Sequence, residues 1–294
     1  MTHADTIFET ERPKLTALCY RMLGERAGAE DVVQETWLRW ARTEPDNVDN
    51  PAAWLRRTAT NIAIDALRSA RARRETYVGP WLPEPLIETE AHSVEAAFEL
   101  AQECELALLW AMDRLNATER AAFILREAFD AGYDDIARVL ERSEAACRQL
   151  VSRAHKRLQA SGPRFDTPRE ETERLLERFF AAAAADDFES ALDLLAPDAV
   201  AITDGGRKAR AARRPLVGPE DIIQVFRAVW SKENLRTQWL LEPCLANGSP
   251  ALIQREEGRV VSIMTLASDA VGRIAWIYIL RNPDKLTLLN QGVS

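Results

Sequence analysis

Basic side chains recur at helical spacing in two separate stretches of the chain, and their chemistry suits the binding of nucleic acid. Arginine and lysine displace counterions from phosphate, and arginine also reads acceptor groups on base edges. The chain as a whole is acidic, with a formal net charge of -8, so contact with a polyanion would depend on local clusters. These clusters are Arg56, Arg57, Arg68, Arg71, Arg73 and Arg74, and then Arg138, Arg142, Arg148, Arg153, Lys156 and Arg157.

The second cluster lies in a segment with the pattern of a helix-turn-helix. A short helix with Ile136 and Leu140 turned inward leads to Ser143, a favoured N-cap residue, and then to a longer helix. The longer helix buries Cys147, Val151, Ala154 and Leu158 and leaves polar side chains on its other face. An ordinary helical hairpin with a solvated basic face would show the same pattern, so the segment alone leaves both interpretations open.

The first cluster lies on a helix that follows a polar loop at residues 43–51. Leu55, Ala59, Ile62 and Ala66 form its apolar face, and a basic face lies opposite. A basic helix beside a loop rich in Asp and Asn could hold unpaired bases as well as phosphates. Trp54 could offer a stacking surface there, but a core position is favoured for it, as it is for Trp37 and Trp40.

The organisation of the 294 residues predicts more than one folded unit. Prolines within residues 79–85 interrupt the helical spacing and predict an extended linker. Residues 76–113 contain no Lys or Arg and accumulate Glu, so an acidic spacer separates the basic modules. The predicted units are a helical domain at 1–75, a linker at 76–97, a second helical domain at 98–161 and a third domain at 168–290.

The third unit changes from helical to mixed patterning. Helical spacing covers 170–185, 188–195 and 219–230, and strand-like runs cover 235–241, 251–255, 260–267 and 273–280. Turn signals that contain glycine separate these runs. The predicted fold class is therefore multidomain, with two all-α domains followed by an α+β domain whose helices pack on a curved sheet.

The remaining composition argues against a metal, a cofactor or a membrane span. The four cysteines, Cys19, Cys104, Cys147 and Cys244, lie far apart without CxxC spacing, and there are three histidines. No window approaches the roughly 18 uncharged apolar residues that a span needs, and the first residues lack a signal-peptide pattern. We expect a cytoplasmic protein with reduced thiols and no cofactor.

Longer motifs in the same segments resemble a known family. Residues 29–37 (AEDVVQETW) and 54–65 (WLRRTATNIAID) resemble region two of extracytoplasmic-function sigma factors, and residues 147–158 (CRQLVSRAHKRL) look like the recognition helix of their region four. A subgroup of these factors carries a SnoaL-like C-terminal extension. Its motifs are similar to residues 81–85 (WLPEP), 204–208 (DGGRK) and 282–286 (NPDKL), with Arg207 in place of a third glycine.

The resemblance implies that the chain binds bacterial core RNA polymerase and promoter DNA and breaks no bond itself. The polymerase would be bound by Asp31, Gln34, Glu35 and Arg39. The −10 promoter element would be opened and read by Asn47, Asp49, Asn50, Arg57, Asn61, Arg68 and Arg71. The −35 element would be read by Arg148, Gln149, Ser152, Arg153 and Lys156. Intramolecular regulation would involve Trp81, Leu82, Pro83, Glu84, Pro85, Asp204, Gly205, Gly206, Arg207, Lys208, Asn282, Pro283, Asp284, Lys285 and Leu286.

Two alternatives stay open. One is a DNA-binding repressor that binds duplex promoter without polymerase, and the other is an enzyme fused to a DNA-binding module, because SnoaL-like domains include cyclases and isomerase relatives. The extension has no histidine, and its candidate bases lie where Asp is common in turns and at helix starts. These candidates are Asp198, Asp204, Asp221 and Asp269. A non-catalytic regulator is favoured, and its basic residues Arg207 and Lys208 are predicted to dock on Glu84 of the acidic spacer. A small-molecule ligand of the extension is compatible with this interpretation, but no residue identifies one.

Overall fold

The computed structural model describes residues 3–44, 47–88, 96–101, 104–160, 168–230 and 239–290. The first domain is a bundle of three helices. Their bounds are His3–Leu23 (α1), Arg26–Trp40 (α2) and Pro51–Arg74 (α3). Their apolar faces enclose Leu18, Tyr20, Trp40 and Leu55, each fully buried. The helix α3 begins where the side-chain oxygen of Asn50 accepts a hydrogen bond from Ala53 N at 3.0 Å, as an N-cap does.

The second domain contains the predicted helix-turn-helix. Its helices are Leu106–Ala111 (α4), Ala117–Glu127 (α5), Tyr133–Leu140 (α6) and Glu144–Gln159 (α7). A capping box formed by Asn116 and Glu119 starts α5, and the Ser143 side chain accepts a hydrogen bond from Ala146 N at 3.2 Å to start α7. Glu141 ends α6 in the left-handed conformation, at φ 52°. The N-cap and the burial of Cys147, predicted from the sequence, are confirmed.

The two helical domains share one continuous apolar core. Arg120 of α5 is fully buried at their junction, where its Nε donates to Arg21 O of α1 at 2.9 Å. Burial lowers the pKa of Arg120 to about 10. Arg74 at the end of α3 pairs with Asp113 at 2.8 Å. The domains are therefore packed against each other by both apolar and charged contacts.

The third domain is α+β, as predicted. In chain order its elements are Arg169–Ala184 (α8), Phe188–Asp193 (α9), Leu195–Asp204 (β2), Leu216–Val217 (β3), Pro219–Trp230 (α10), Trp239–Ala246 (β4), Ser249–Glu256 (β5), Arg259–Ser268 (β6) and Ile274–Leu280 (β7). The sheet is antiparallel except for the parallel pair β2 and β7. The strand predicted at 235–241 instead extends to Ala246, and residues 235–238 lie outside the described ranges.

Helices cover one face of this sheet and the rest of the chain covers the other. On the first face, Phe179 and Phe226 pack over Ile277. On the second face, Trp110 of α4 packs against Trp276 with ring centroids 4.9 Å apart. The linker also joins the sheet, because Ile87–Glu88 (β1) pairs with the edge strand β4. Within residues 76–88 of the predicted linker, Leu82, Leu86 and Ile87 are buried, whereas residues 89–95 lie outside the described ranges.

No helix among the described residues is long and apolar enough to cross a membrane. The bounds of the four predicted units stay a prediction, and the 3₁₀ helix at Ala96–Ala101 spans the predicted start of the second helical domain at residue 98.

Candidate nucleic-acid interface and its junction with the C-terminal domain

The predicted recognition surface lies on the outer face of α7. Arg148, Gln149, Ser152, Arg153 and Lys156 are all exposed there. Two of the arginines are already oriented by neighbours. Arg148 pairs with Glu144 at 3.0 Å and lies over the ring of Tyr133, and Arg153 pairs with Glu119 at 3.3 Å. A helix with this row of donors has the chemistry to contact phosphates and base edges in a groove.

The predicted −10 surface is less uniform. Asn47, Asp49 and Asn50 are exposed in the loop before α3, although Asn50 is engaged as a cap. On α3, Arg57 and Arg68 are exposed and Asn61 is half-buried. Arg71 is also half-buried, and its guanidinium donates to the carbonyl oxygens of Asp113 and Leu115. The tryptophan at the start of the helix, Trp54, packs against Trp40 at 5.4 Å between ring centroids.

The edges of the two basic surfaces meet at one cleft. Arg57 of α3 forms an ion pair with Glu141 in the turn of the helix-turn-helix, with 2.5 Å between Nη2 and Oε1. Beside this pair, Arg68 and Arg71 from α3 meet Arg142 and Arg153 from the second domain. Arg68 and Arg71, predicted to contact the −10 element, thus line the same cleft as Arg153, predicted to contact the −35 element.

A separate groove runs along the side of α2 that the sequence assigns to polymerase binding. Its floor is apolar, with Val32 and Ile62 among its lining residues, and Asp31 and Glu35 stand at its rim. Glu35 pairs with Arg39 at 2.9 Å. Arg39 and Gln34 are exposed outside this groove. An apolar floor with an acidic rim suits a partner helix that carries basic residues.

Asp204, the last residue of β2, joins the third domain to the linker. Its carboxylate is fully buried and accepts hydrogen bonds from Leu82 N at 2.9 Å, Tyr77 Oη at 2.5 Å and Gly206 N at 3.1 Å. Lys285 supplies the countercharge at 2.7 Å. Burial, followed by the bond to Asp204, raises the pKa of Tyr77, which therefore stays protonated as a donor. The Asp204 carboxylate thus binds Tyr77 and Leu82 of the linker and Lys285 of the motif at residues 282–286.

The backbone conformation of Gly206 favours the contacts around Asp204. Gly206 has φ +55°, and a Cβ there would lie 2.8 Å from Nδ2 of Asn282. Asn282 in turn donates to Tyr77 Oη at 2.7 Å. Arg207 lies outside the left-handed region, so the arginine that replaces a third glycine is accommodated without strain.

Trp81 of the linker lies between two cations from different domains. The guanidinium carbon of Arg74 lies 3.3 Å from the ring centroid, and Lys285 Nζ lies 4.3 Å from it. Burial lowers the pKa of Lys285. Both contacts are cation–π interactions, so the indole connects the first domain to the third.

Asn247 forms a second junction, although in the sequence the Asn247-Gly248 pair predicts only a turn. Its side-chain amide donates to Tyr20 Oη and to Cys104 O, both at 3.0 Å, and its oxygen accepts from Leu86 N at 3.0 Å. Tyr20 belongs to the first domain, Leu86 to the linker, and Cys104 precedes α4. The Asn-Gly pair was the available signal, but it indicates a hairpin turn rather than the partners of the side chain.

The predicted contact between the basic run and Glu84 is not formed. Lys208 pairs with Asp284 of its own domain at 2.5 Å, and Arg207 reaches the carbonyl oxygen of Thr76 at 3.5 Å. Glu84 instead accepts a hydrogen bond from Arg26 N at 2.9 Å. The prediction relied on complementary charge. The third domain instead contacts the linker through the buried carboxylate of Asp204 and through backbone groups of Leu82 and Thr76.

Each candidate base of the enzyme alternative has a structural environment of its own. Asp204 is held as described, and Asp221 pairs with Arg214 at 2.8 Å. Asp269 accepts from Val271 N and Arg273 N, both at 2.9 Å, within a turn. Asp198 is exposed. Asp221 and Asp269 therefore match the cap and turn interpretation, whereas Asp204 belongs to the junction with the linker.

The four cysteines are free and buried, and among the described residues no group of three or more His, Cys, Asp or Glu side chains could hold a metal ion.

Comparison with known proteins finds similarity along nearly the whole chain. The family model of sigma-70 region 2 matches residues 7–73, and that of sigma-70 region 4 matches residues 105–158. The ECF RNA polymerase sigma factor SigJ of Mycobacterium tuberculosis is 34% identical over 289 residues, which cover 95% of this chain and 92% of the relative. The probable ECF RNA polymerase sigma factor SigI of the same organism is 27% identical over 283 residues, covering 95% and 93%.

The fold is similar to a solved structure over almost its full length. The crystal structure of SigJ from Mycobacterium tuberculosis aligns with a TM-score of 0.76 at 31% identity, and the alignment covers 96% of this chain and 98% of that one.

Proposed function

Because this chain belongs to the extracytoplasmic-function sigma factors, which direct bacterial core RNA polymerase to specific promoters, we propose that its own C-terminal domain controls when it does so. In this proposal the domain keeps regions two and four, the first and second helical domains, packed on their shared core with the ion pair between Arg57 and Glu141 formed. We call this the closed arrangement. Promoter binding then requires the two regions to separate. The ion pair between Arg57 and Glu141 is the observation that carries the proposal.

The distance between the two promoter elements supports this requirement. Elements centred about 25 base pairs apart are separated by about 85 Å of B-form duplex, at 3.4 Å per base pair. In the closed arrangement Arg57, assigned to the −10 element, lies 2.5 Å from the turn that precedes the −35 recognition helix. One closed chain therefore cannot reach both elements at once.

The C-terminal domain is suited to hold this arrangement because it contacts both region two and region four. Asn247 bonds to Tyr20 of region two and to the backbone at Cys104, just before region four. Trp276 of its sheet packs against Trp110 of α4. Separation of the regions would break these contacts, so their free energy contributes to closure.

Within this proposal, each surface keeps the role that the resemblance implies. The loop before α3 and the exposed basic side chains of α3 contact the −10 element, and the outer face of α7 contacts the −35 element. The C-terminal domain acts without catalysis, since three of its four candidate bases are engaged in structural contacts. We place the protein in the cytoplasm, where polymerase and promoter are found.

Opening can be measured directly as a distance. Ala72 of α3 and Ala128 at the end of α5 are exposed, and the four native cysteines are buried. Full-length chain with Ala72→Cys and Ala128→Cys can therefore carry a donor and an acceptor dye. We expect high energy transfer in the free chain, and low transfer in a complex with core polymerase and promoter, as the regions separate toward about 85 Å.

A second labelled pair serves as the control for this measurement. Ala128→Cys with Gln159→Cys places both dyes within region four, where the distance should stay constant. High transfer from the first pair in a complex that is making transcript would contradict the closed-to-open proposal.

The groove along α2 gives a prediction for polymerase binding. Asp31→Lys should weaken the affinity for core polymerase roughly tenfold, because a charge at the rim of an interface is reversed. Asp31 lines the groove and forms no ion pair among the described residues. The measurement is a titration of dye-labelled full chain with core polymerase.

Glu30→Lys is the matched control, since Glu30 is an exposed acid next in sequence that does not line the groove. Equal loss of affinity in both variants would assign the effect to overall charge and would remove Asp31 from the interface.

A further inference from the structure

The cleft between α3 and the second helical domain is lined by positively charged side chains. It has a volume of about 390 Å³, and four arginines line it, two from each domain. None of its described lining residues is a carboxylate. These residues are Arg68, Arg71, Asn116, Ala117, Thr118, Arg142, Leu150 and Arg153.

The arginines differ in how far their charge is compensated. Arg68 pairs with Asp65 at 3.0 Å and Arg153 with Glu119 at 3.3 Å. Arg71 donates to the backbone carbonyl oxygens of Asp113 and Leu115, and the carboxylates of Asp113 and Glu119 interact with its charge. Among the described residues, the exposed side chain of Arg142 has neither a hydrogen bond nor an ion pair. The cleft therefore has an excess of positive charge.

The start of α5 adds uncharged donors to the same cleft. Ala117 and Thr118 are the first two residues of this helix and both line the cleft. Their N–H groups precede the first intrahelical hydrogen bond, and the Glu119 carboxylate of the capping box accepts from Asn116 N at the same helix end. Guanidinium groups and helix N-terminal amides are both donors that bind phosphoryl oxygens.

We propose that this cleft binds a small polyphosphate anion, such as the phosphate chain of a nucleotide, when the chain is closed. The volume lies within the range of about 300–1,000 Å³ that is common for small-molecule sites. Duplex DNA does not fit, since the ion pair between Arg57 and Glu141 joins the two domains beside the cleft.

The proposed ligand would stabilise the closed chain and so oppose promoter binding. This inhibitory role rests on the closed arrangement proposed above. The ligand contacts arginines of both regions, so it binds the closed chain and loses half of its partners when the regions separate. At a concentration one hundred times its dissociation constant for the closed chain, it would shift the equilibrium toward closure by at most about a hundredfold, the limit reached when the open chain does not bind it. The promoter would then have to displace it.

Calorimetric titration of the full chain with sodium tripolyphosphate tests the proposal. We expect saturable binding that weakens as salt is added, because the contacts are ionic. Arg142→Gln should bind roughly tenfold more weakly, since one charge-assisted contact to phosphate is lost. Arg42→Gln should bind like the wild type, because Arg42 is an exposed arginine outside the cleft.

Other outcomes would overturn the proposal. These are the absence of saturable binding, equal affinity in the Arg142→Gln variant and the wild type, and displacement of tripolyphosphate by duplex DNA that lacks promoter elements while the dyes still report a closed chain. The last result would assign the cleft to the DNA surface. The dye-labelled chain separates the two failures: a closed chain that does not bind tripolyphosphate contradicts this inference alone, whereas an open free chain contradicts the proposed regulation.

Discussion

Asp204→Ala is expected to lower the free energy of unfolding by about 3–5 kcal/mol, the usual cost of removing one partner from a buried ion pair. The substitution leaves the buried ammonium of Lys285 without its countercharge and removes the acceptor for Leu82 N and Tyr77 Oη. Because these groups join the linker to the third domain, we also expect higher transcription by the fraction that stays folded.

Denaturant unfolding and in-vitro transcription at limiting polymerase would measure the two effects of Asp204→Ala. Asp204→Asn keeps an acceptor and tests whether the charge is needed. Asp284→Ala is the matched control, since it removes an exposed ion pair with Lys208, worth at most about 1 kcal/mol. A loss of stability in Asp204→Ala no greater than in Asp284→Ala would contradict the role assigned to this carboxylate.

Asn247→Gly is expected to destabilise the closed chain by about 2–4 kcal/mol, because three buried hydrogen bonds to the amide are lost. These bonds reach region two, the linker and the segment before region four. Glycine tolerates the left-handed backbone at this position, so the substitution removes the side chain without adding strain. We expect lower energy transfer between the dyes on Ala72→Cys and Ala128→Cys in the free chain.

The sheet contains a second turn that serves as a control for Asn247→Gly. Glu257 and Gly258 have φ values of 50° and 78°, close to the 52° and 72° of Asn247 and Gly248. Glu257 is exposed and Asn247 is buried. Glu257→Gly should therefore change neither stability nor energy transfer appreciably. Equal effects of the two substitutions would mean that the turn backbone, and not the junction, accounts for the change.

Local signals in the sequence were enough to predict the helix-turn-helix. The inward positions of α6 and α7 follow helical spacing, and Ser143 is a cap whose partner lies only three residues away. The α+β pattern of the third domain was likewise predicted from strand-like runs and turn residues. These signals act over a few residues, so the folded context changes them little.

The contacts between domains could not be predicted in the same way. Asn247 bonds to Tyr20, which lies 227 residues away in the sequence, and no local pattern selects such a partner. The predicted pairing with Glu84 failed because charge complementarity does not say which carboxylate is buried. Burial raises the pKa of Glu84. The largest effect on this carboxyl group is therefore desolvation, and not an attraction to the basic run.

The order of the chain gives the contacts of the C-terminal domain a consequence in time. Asp204, Asn247 and Lys285 all follow region four in the sequence, so a ribosome completes both promoter-binding regions before it has made the residues that close them. The roughly 130 residues from the end of region four to Lys285 require about 6–26 s at about 5–20 residues per second. Under the proposed regulation, each newly synthesised molecule therefore passes through an interval in which the C-terminal domain cannot yet hold it closed, and the amount of open factor would depend on the rate of synthesis as well as on any signal.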